Sequence, residues 1–137
     1  MIEVSSRDNP LLKSIRRLVQ DVNAYRKQGH IWLEGDHLCR AALERGVEPL
    51  HVVLTHGVWS SDPVAWRPWS DKVVVVSDAL FATLSGLESP AQMGFLLDYA
   101  PALSLDSQAA TVILDRVQDA GNVGSILRSA SAFGFKQ

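Results

Sequence analysis

Two compact runs of β-branched residues, Leu50 to Thr55 (LHVVLT) and Lys72 to Ser77 (KVVVVS), constrain this chain most. Both are short and bounded by polar or turn-forming residues, so they read as buried strands. Ile31-Trp32-Leu33-Glu34 and Gly94 to Asp98 are two further short strand patterns. Between and before them lie helical stripes. From Asn9 to Val22 the apolar residues Leu11, Leu12, Ile15, Leu18, Val19 and Val22 share one helical face, with Asn9 as N-cap and Pro10 at the first helical position. A second helix follows Gly35-Asp36 and stops near Arg45-Gly46, and a short third one, capped by Ser77 or Asp78, runs through Leu84. The order helix, strand, helix, strand, strand, helix, strand predicts a small α/β sandwich with a mostly parallel sheet. Trp59, Trp66 and Trp69 fall in the loop between the two β-branched runs, where packing is favoured over stacking on bases.

The pattern breaks at Tyr99 to Gln108 (YAPALSLDSQ), which has proline, small and polar residues and no periodicity. Residues 1–98 therefore form one expected domain, 99–108 a linker, and 109–137 the start of a second α/β unit. That unit opens with the strand pattern Thr111 to Asp115 and continues as a helix from Asn122, with Val123, Ile126, Leu127, Ala130 and Phe133 on one stripe. No apolar run approaches the roughly 20 residues that span a bilayer, and the first residues lack the pattern of a signal peptide, so a cytoplasmic protein is expected. The single cysteine, Cys39, reads as a small buried residue on a helix. Neither it nor His30, His37, His51 and His56 shows metal-ligand spacing, and no metal is expected.

Charge is unevenly spread. The chain carries a net −2, yet residues 1–27 hold Arg7, Lys13, Arg16, Arg17, Arg26 and Lys27 against only Glu3, Asp8 and Asp21. Lys13, Arg16 and Arg17 lie on the helix face opposite the apolar stripe, where a phosphate backbone can dock. A solvated helix face produces the same pattern, so charge alone does not decide.

The chemistry concentrates in Leu114 to Gly134 (LDRVQDAGNVGSILRSASAFG), read as a strand, a glycine-containing loop and a helix. Open α/β sheets bind ligands beyond the carboxyl ends of their strands. Gly121 and Gly124 permit close backbone approach, and the N–H groups at the start of the helix, with Ser125 beside them, suit an RNA phosphate. Gly124, Arg128 and Ser131 share the polar face. No dinucleotide fingerprint or Walker lysine is present, which disfavours a doubly wound nucleotide-binding enzyme.

The run Asn122-x-Gly124-x-x-x-Arg128-x-Ala130-x-x-Phe133-Gly134, preceded by Leu114-Asp115-x-Val117-x-Asp119, resembles the first motif of the SpoU/TrmH family, knotted methyltransferases of the SPOUT superfamily. Ser6-Arg7-x-Asn9-Pro10-x-x-Lys13, Leu33-Glu34-Gly35 and Ser89-Pro90-x-Gln92-x-Gly94 resemble the substrate-binding domain of these enzymes, itself similar to a small RNA-binding ribosomal-protein fold. The resemblance implies transfer of a methyl group from S-adenosylmethionine to a ribose 2′-hydroxyl of tRNA or rRNA. Arg128 and Asn122 would be the catalytic residues, and Arg7, Asn9, Lys13, Arg16, Arg17, Gly124 and Ser125 the RNA-binding ones. Residues 109–137 would supply the first strand and helix of the knotted domain. The cofactor site would lie beyond Gln137, the 137-residue chain would be inactive alone, and the full-length protein would be a homodimer. The family usually has proline where this chain has Ala120, from which a looser turn is expected. A non-catalytic RNA-binding module is the alternative, although it has no need of Asn122, Gly124 and Arg128 at this spacing.

Overall fold

The computed structural model describes residues 1–100 and 104–137, so residues 101–103 of the expected linker lie outside the described residues. Two compact units divide at residue 100, Met1–Ala100 and Pro101–Gln137.

The N-terminal unit is a five-stranded sheet covered on both faces. Its strands are β1 (Ile2–Glu3), β2 (His30–Glu34), β3 (His51–Thr55), β4 (Val73–Val76) and β5 (Met93–Asp98), in the spatial order β1-β4-β3-β5-β2. Helices α1 (Pro10–Gln20), α2 (Ala24–Gln28), α3 (Asp36–Glu44), α4 (His56–Ser61) and α5 (Asp78–Ala82) join them. The period-two alternation of the strands sorts side chains into two cores. Val53, Val74, Val76 and Leu96 meet Leu12 and Ile15 of α1 and Leu80 and Phe81 of α5. Val52, Leu54, Val73, Val75 and Phe95 meet Cys39 of α3, together with Trp66. Trp59 and Trp69 pack against this second core, and Trp66 meets Phe95 edge to face at 6.4 Å. The tryptophans are thus packing residues.

The α/β class stands, but the sheet is mixed rather than mostly parallel. β4 runs parallel to β1 and β3, whereas β5 is antiparallel to both β3 and β2. The apolar run Met93 to Leu97 reflects burial on both faces, and burial carries no information about strand direction. Three elements escape the apolar patterns because they are short: β1, α2 and α4. Helix α1 ends at Gln20, two residues before the expected Val22, because Asp21 turns extended and its carboxylate accepts the Asn23 N–H at 2.9 Å. Val22 is consequently 83% exposed.

In the C-terminal unit, α6 (Ala120–Ala132) forms, but the strand expected at Thr111 to Asp115 does not. An isolated extended segment has no ladder to satisfy its backbone. Among the described residues, Val112 N–H instead reaches the Gln137 carbonyl, and the Gln137 side chain binds Asp106 and Thr111. Ile113 is left 85% exposed.

Candidate nucleic-acid interface and catalytic helix

Asn9 holds the start of α1 by accepting the Leu11 N–H at 2.9 Å, with Pro10 following where its missing N–H is harmless. Asn9 is therefore a structural cap, with its side-chain oxygen engaged. Burial of Leu12 and Ile15 turns the opposite face outward. Lys13 lies there, paired with Asp8 at 2.9 Å, and both are exposed. The hydrogen bond from Lys13, then its charge, holds the Asp8 carboxyl below its usual range. Arg17 is exposed and makes no ion pair among the described residues. Arg16 is half-buried: its guanidinium donates to the Arg7 carbonyl and, at 3.4 Å, to Thr83 Oγ1. Arg16 thereby fastens the segment carrying Arg7 and is less available to a phosphate than Arg17.

The second group of expected site residues lies on α6. Asp119 caps this helix, accepting the Asn122 N–H at 2.7 Å. Ala120 occupies the first helical position, where proline is favoured but not required. Gly121 lies inside the helix rather than in the expected loop, and Gly124 lies inside it as expected. The anion site expected at the helix start is altered as well, since the Asp119 carboxylate already takes one of its N–H groups. Arg128 folds back one turn and donates to Ser125 Oγ at 3.2 Å, while a Cβ at position 124 would stand 3.3 Å from its Nη1. Gly124 thus clears the path of the guanidinium. Gly124, Ser125 and Arg128 are brought together on an exposed face, with Asn122 exposed at the third helical position.

Glu34, at the end of β2, acts as a turn carboxylate. Oε1 accepts Ser85 Oγ at 2.5 Å and Ala91 N–H at 3.2 Å, and Oε2 accepts Gly86 N–H at 3.3 Å. One carboxylate at the end of β2 thus ties down the loop between α5 and β5. What the sequence reading missed is a cavity of about 310 Å³ beside it, lined by Leu18, Val19, Tyr25, Trp32, Glu34 and Gly86. Its signal was Gly94, a lone glycine in a strand, where another group must approach closely. A Cβ there would fall 2.3 Å from the Trp32 ring. Among the described residues no cluster of His, Cys, Asp and Glu could hold a metal ion, and no helix is long and apolar enough to cross a membrane.

Comparison with known proteins gives this arrangement its context. Residues 9–94 match the MRM3-like substrate binding domain, a stretch that includes α1, the Glu34 staple and Gly94. The chain belongs to this family. It is 31% identical to an uncharacterized tRNA/rRNA methyltransferase of Synechocystis, with 96% of the chain aligned to 49% of that protein. The fold superposes with a TM-score of 0.73 on an AdoMet-bound rRNA methyltransferase from Sinorhizobium meliloti, 27% identical, covering 97% of this chain and 51% of that one. An RNA 2′-O ribose methyltransferase, 24% identical, shares the fold with a TM-score of 0.71 over 98% of this chain and 53% of its own. The chain spans about half the length of these relatives, which are named as RNA methyltransferases.

Proposed function

We propose that this chain provides the RNA-binding domain and the first catalytic helix of an enzyme that methylates a ribose 2′-hydroxyl in tRNA or rRNA. The observation that carries the reading is the joint presence of the matched substrate-binding domain and, outside the matched residues, the Arg128 guanidinium cradled over Gly124 on a capped helix. A plain RNA-binding module would not require that second feature.

The chemistry demanded of α6 is modest. A ribose hydroxyl becomes a nucleophile when its oxygen is relieved of a proton or its developing negative charge is stabilised, and a phosphodiester lies next to it. A guanidinium is a poor base, with a pKa above about 12, but its planar fork holds a phosphate and donates to an oxyanion at once. Arg128 would take that double role. Ser125 presets its direction, and Asn122 would orient the ribose or phosphate by hydrogen bonding. Gly124 lets the guanidinium lie close to the helix while it would hold the ribose-phosphate. Arg7, Lys13 and Arg17 would hold the RNA backbone from α1, with Asn9 and Arg16 fixing the geometry of that segment.

S-adenosylmethionine would supply the methyl group. Cofactor binding and homodimerisation are assigned to the remainder of a full-length protein. Incubating full-length protein with labelled S-adenosylmethionine and tRNA or rRNA, then digesting the RNA to nucleosides, tests the reading. Label in a 2′-O-methyl nucleoside is expected, and label confined to a base would refute it.

A further inference from the structure

The cavity beside Glu34 has a composition that narrows its occupant. Leu18 and Val19 of α1 form one wall, Tyr25 of α2 and Trp32 of β2 present aromatic rings, and Gly86 leaves the loop side open. The polar side chain among these that can accept a hydrogen bond without also donating is the Glu34 carboxylate. A carboxylate offers about four acceptor positions. Ser85 and Ala91 use both on Oε1, and Gly86 uses one on Oε2, which leaves Oε2 able to take one more N–H. An anion is repelled from such a site, whereas a flat, uncharged ring with an N–H edge meets both its aromatic walls and its acceptor.

The rim has the opposite character. Arg26 lies 5.5 Å from the centre of the Tyr25 ring and donates to the Tyr25 hydroxyl at 2.8 Å. A cation beside an aromatic, carboxylate-bearing hole matches a nucleotide whose base enters and whose phosphate stays outside.

Trp32 supplies an independent indication. Its ring lies against Gly94, where no side chain could be accommodated, and its buried indole N–H has no partner among the described residues. An unpaired buried donor is destabilising, so fold stability alone does not account for an indole here.

We propose that this cavity receives one unpaired nucleobase of the RNA, stacked against Tyr25 and Trp32 and donating an amino or imino N–H to Glu34. The proposal rests on RNA being the substrate, and its test separates the two claims. The indole N–H of Trp32, assigned by loss of its signal in Trp32→Phe, is followed by nuclear magnetic resonance while GMP, AMP, CMP, UMP or ribose 5-phosphate is added to the chain. The expected result is a saturable shift of Trp32, Gly86 and Ala91 with at least one nucleotide and none with ribose 5-phosphate. Gly86→Leu, which fills the cavity beside Val19, should abolish the shift, and Tyr25→Ala should weaken binding by about tenfold, as loss of one base–aromatic stack does. Equal shifts with ribose 5-phosphate would show phosphate recognition and overturn the proposal. So would structured RNA that binds through the basic face of α1 while Trp32 stays unperturbed, an outcome that leaves the RNA reading intact. Failure to bind any RNA would remove both.

Discussion

Replacing Gly94 by alanine isolates the contact that positions Trp32. The added Cβ would stand 2.3 and 2.4 Å from two carbons of the indole and 2.9 Å from the Leu33 carbonyl oxygen. The indole can move only by leaving its place against the first core, and the carbonyl belongs to a strand paired along its length with β5. Both escapes are unfavourable. Overpacking of this kind costs about 1–3 kcal/mol, and contacts this short place Gly94→Ala at the upper end. With a urea slope of about 1.5–2 kcal/mol/M, a loss of about 3 kcal/mol lowers the unfolding midpoint by roughly 1.5–2 M at unchanged slope. Trp32→Leu removes the ring from the clash, so Gly94→Ala should cost less in that background, and the two effects should not add. Urea unfolding of the four proteins, followed by circular dichroism, measures this. A Gly94→Ala midpoint equal to the parent's, or strict additivity, would show that the glycine does not exist for the indole.

Other perturbations follow from the same structure. In the full-length protein, Arg128→Ala and Arg128→Lys should both abolish methyl transfer while leaving the thermal midpoint unchanged, because the side chain is exposed; a lysine variant with near-parental turnover would remove the fork from the mechanism. Alanine at Arg7, Lys13, Arg16 and Arg17 together should weaken RNA binding and flatten its salt dependence, by about 0.7 in the log–log slope for each lost contact to single-stranded RNA. Unchanged slope would displace the interface from α1. Glu34→Gln turns one acceptor into a donor facing other donors, and should destabilise by roughly 1–3 kcal/mol and speed amide exchange at Gly86 and Ala91. For His51, burial first of all pushes the imidazole below its usual 6.5, so the unfolded chain binds the proton more readily. Stability should therefore be intact above 6.5 and fall as pH drops through the folded value, and His51→Gln should remove that part of the decline.

Most of the fold was legible because burial leaves a periodic trace. The stripes of α1, α3, α5 and α6 and the runs of β2 to β5 are all visible in the order of apolar residues. Strand direction was not, because Met93 to Leu97 is buried on both faces whichever way it runs. Thr111 to Asp115 shows the converse: a strand pattern states what a segment needs, and without a neighbouring ladder the strand does not form. At the candidate site, the face carrying Lys13 and Arg17 was readable from spacing, but the diversion of Arg16 to Thr83 and the capping of Asn122 by Asp119 depend on side-chain directions that spacing does not encode. The Glu34 staple and the cavity join residues from four parts of the chain. Only Gly94 betrayed them in advance, and then without naming its partner.

In the proposed reaction, a full-length protein built on this chain would methylate ribose 2′-hydroxyls in tRNA or rRNA by way of Arg128. Mapping 2′-O-methyl groups across these RNAs, from cells with and without the full-length gene, tests it most directly. One or a few ribose methyl groups should disappear with the gene, return with the intact gene, and fail to return with Arg128→Ala. An unchanged map, or full restoration by the alanine variant, would contradict it.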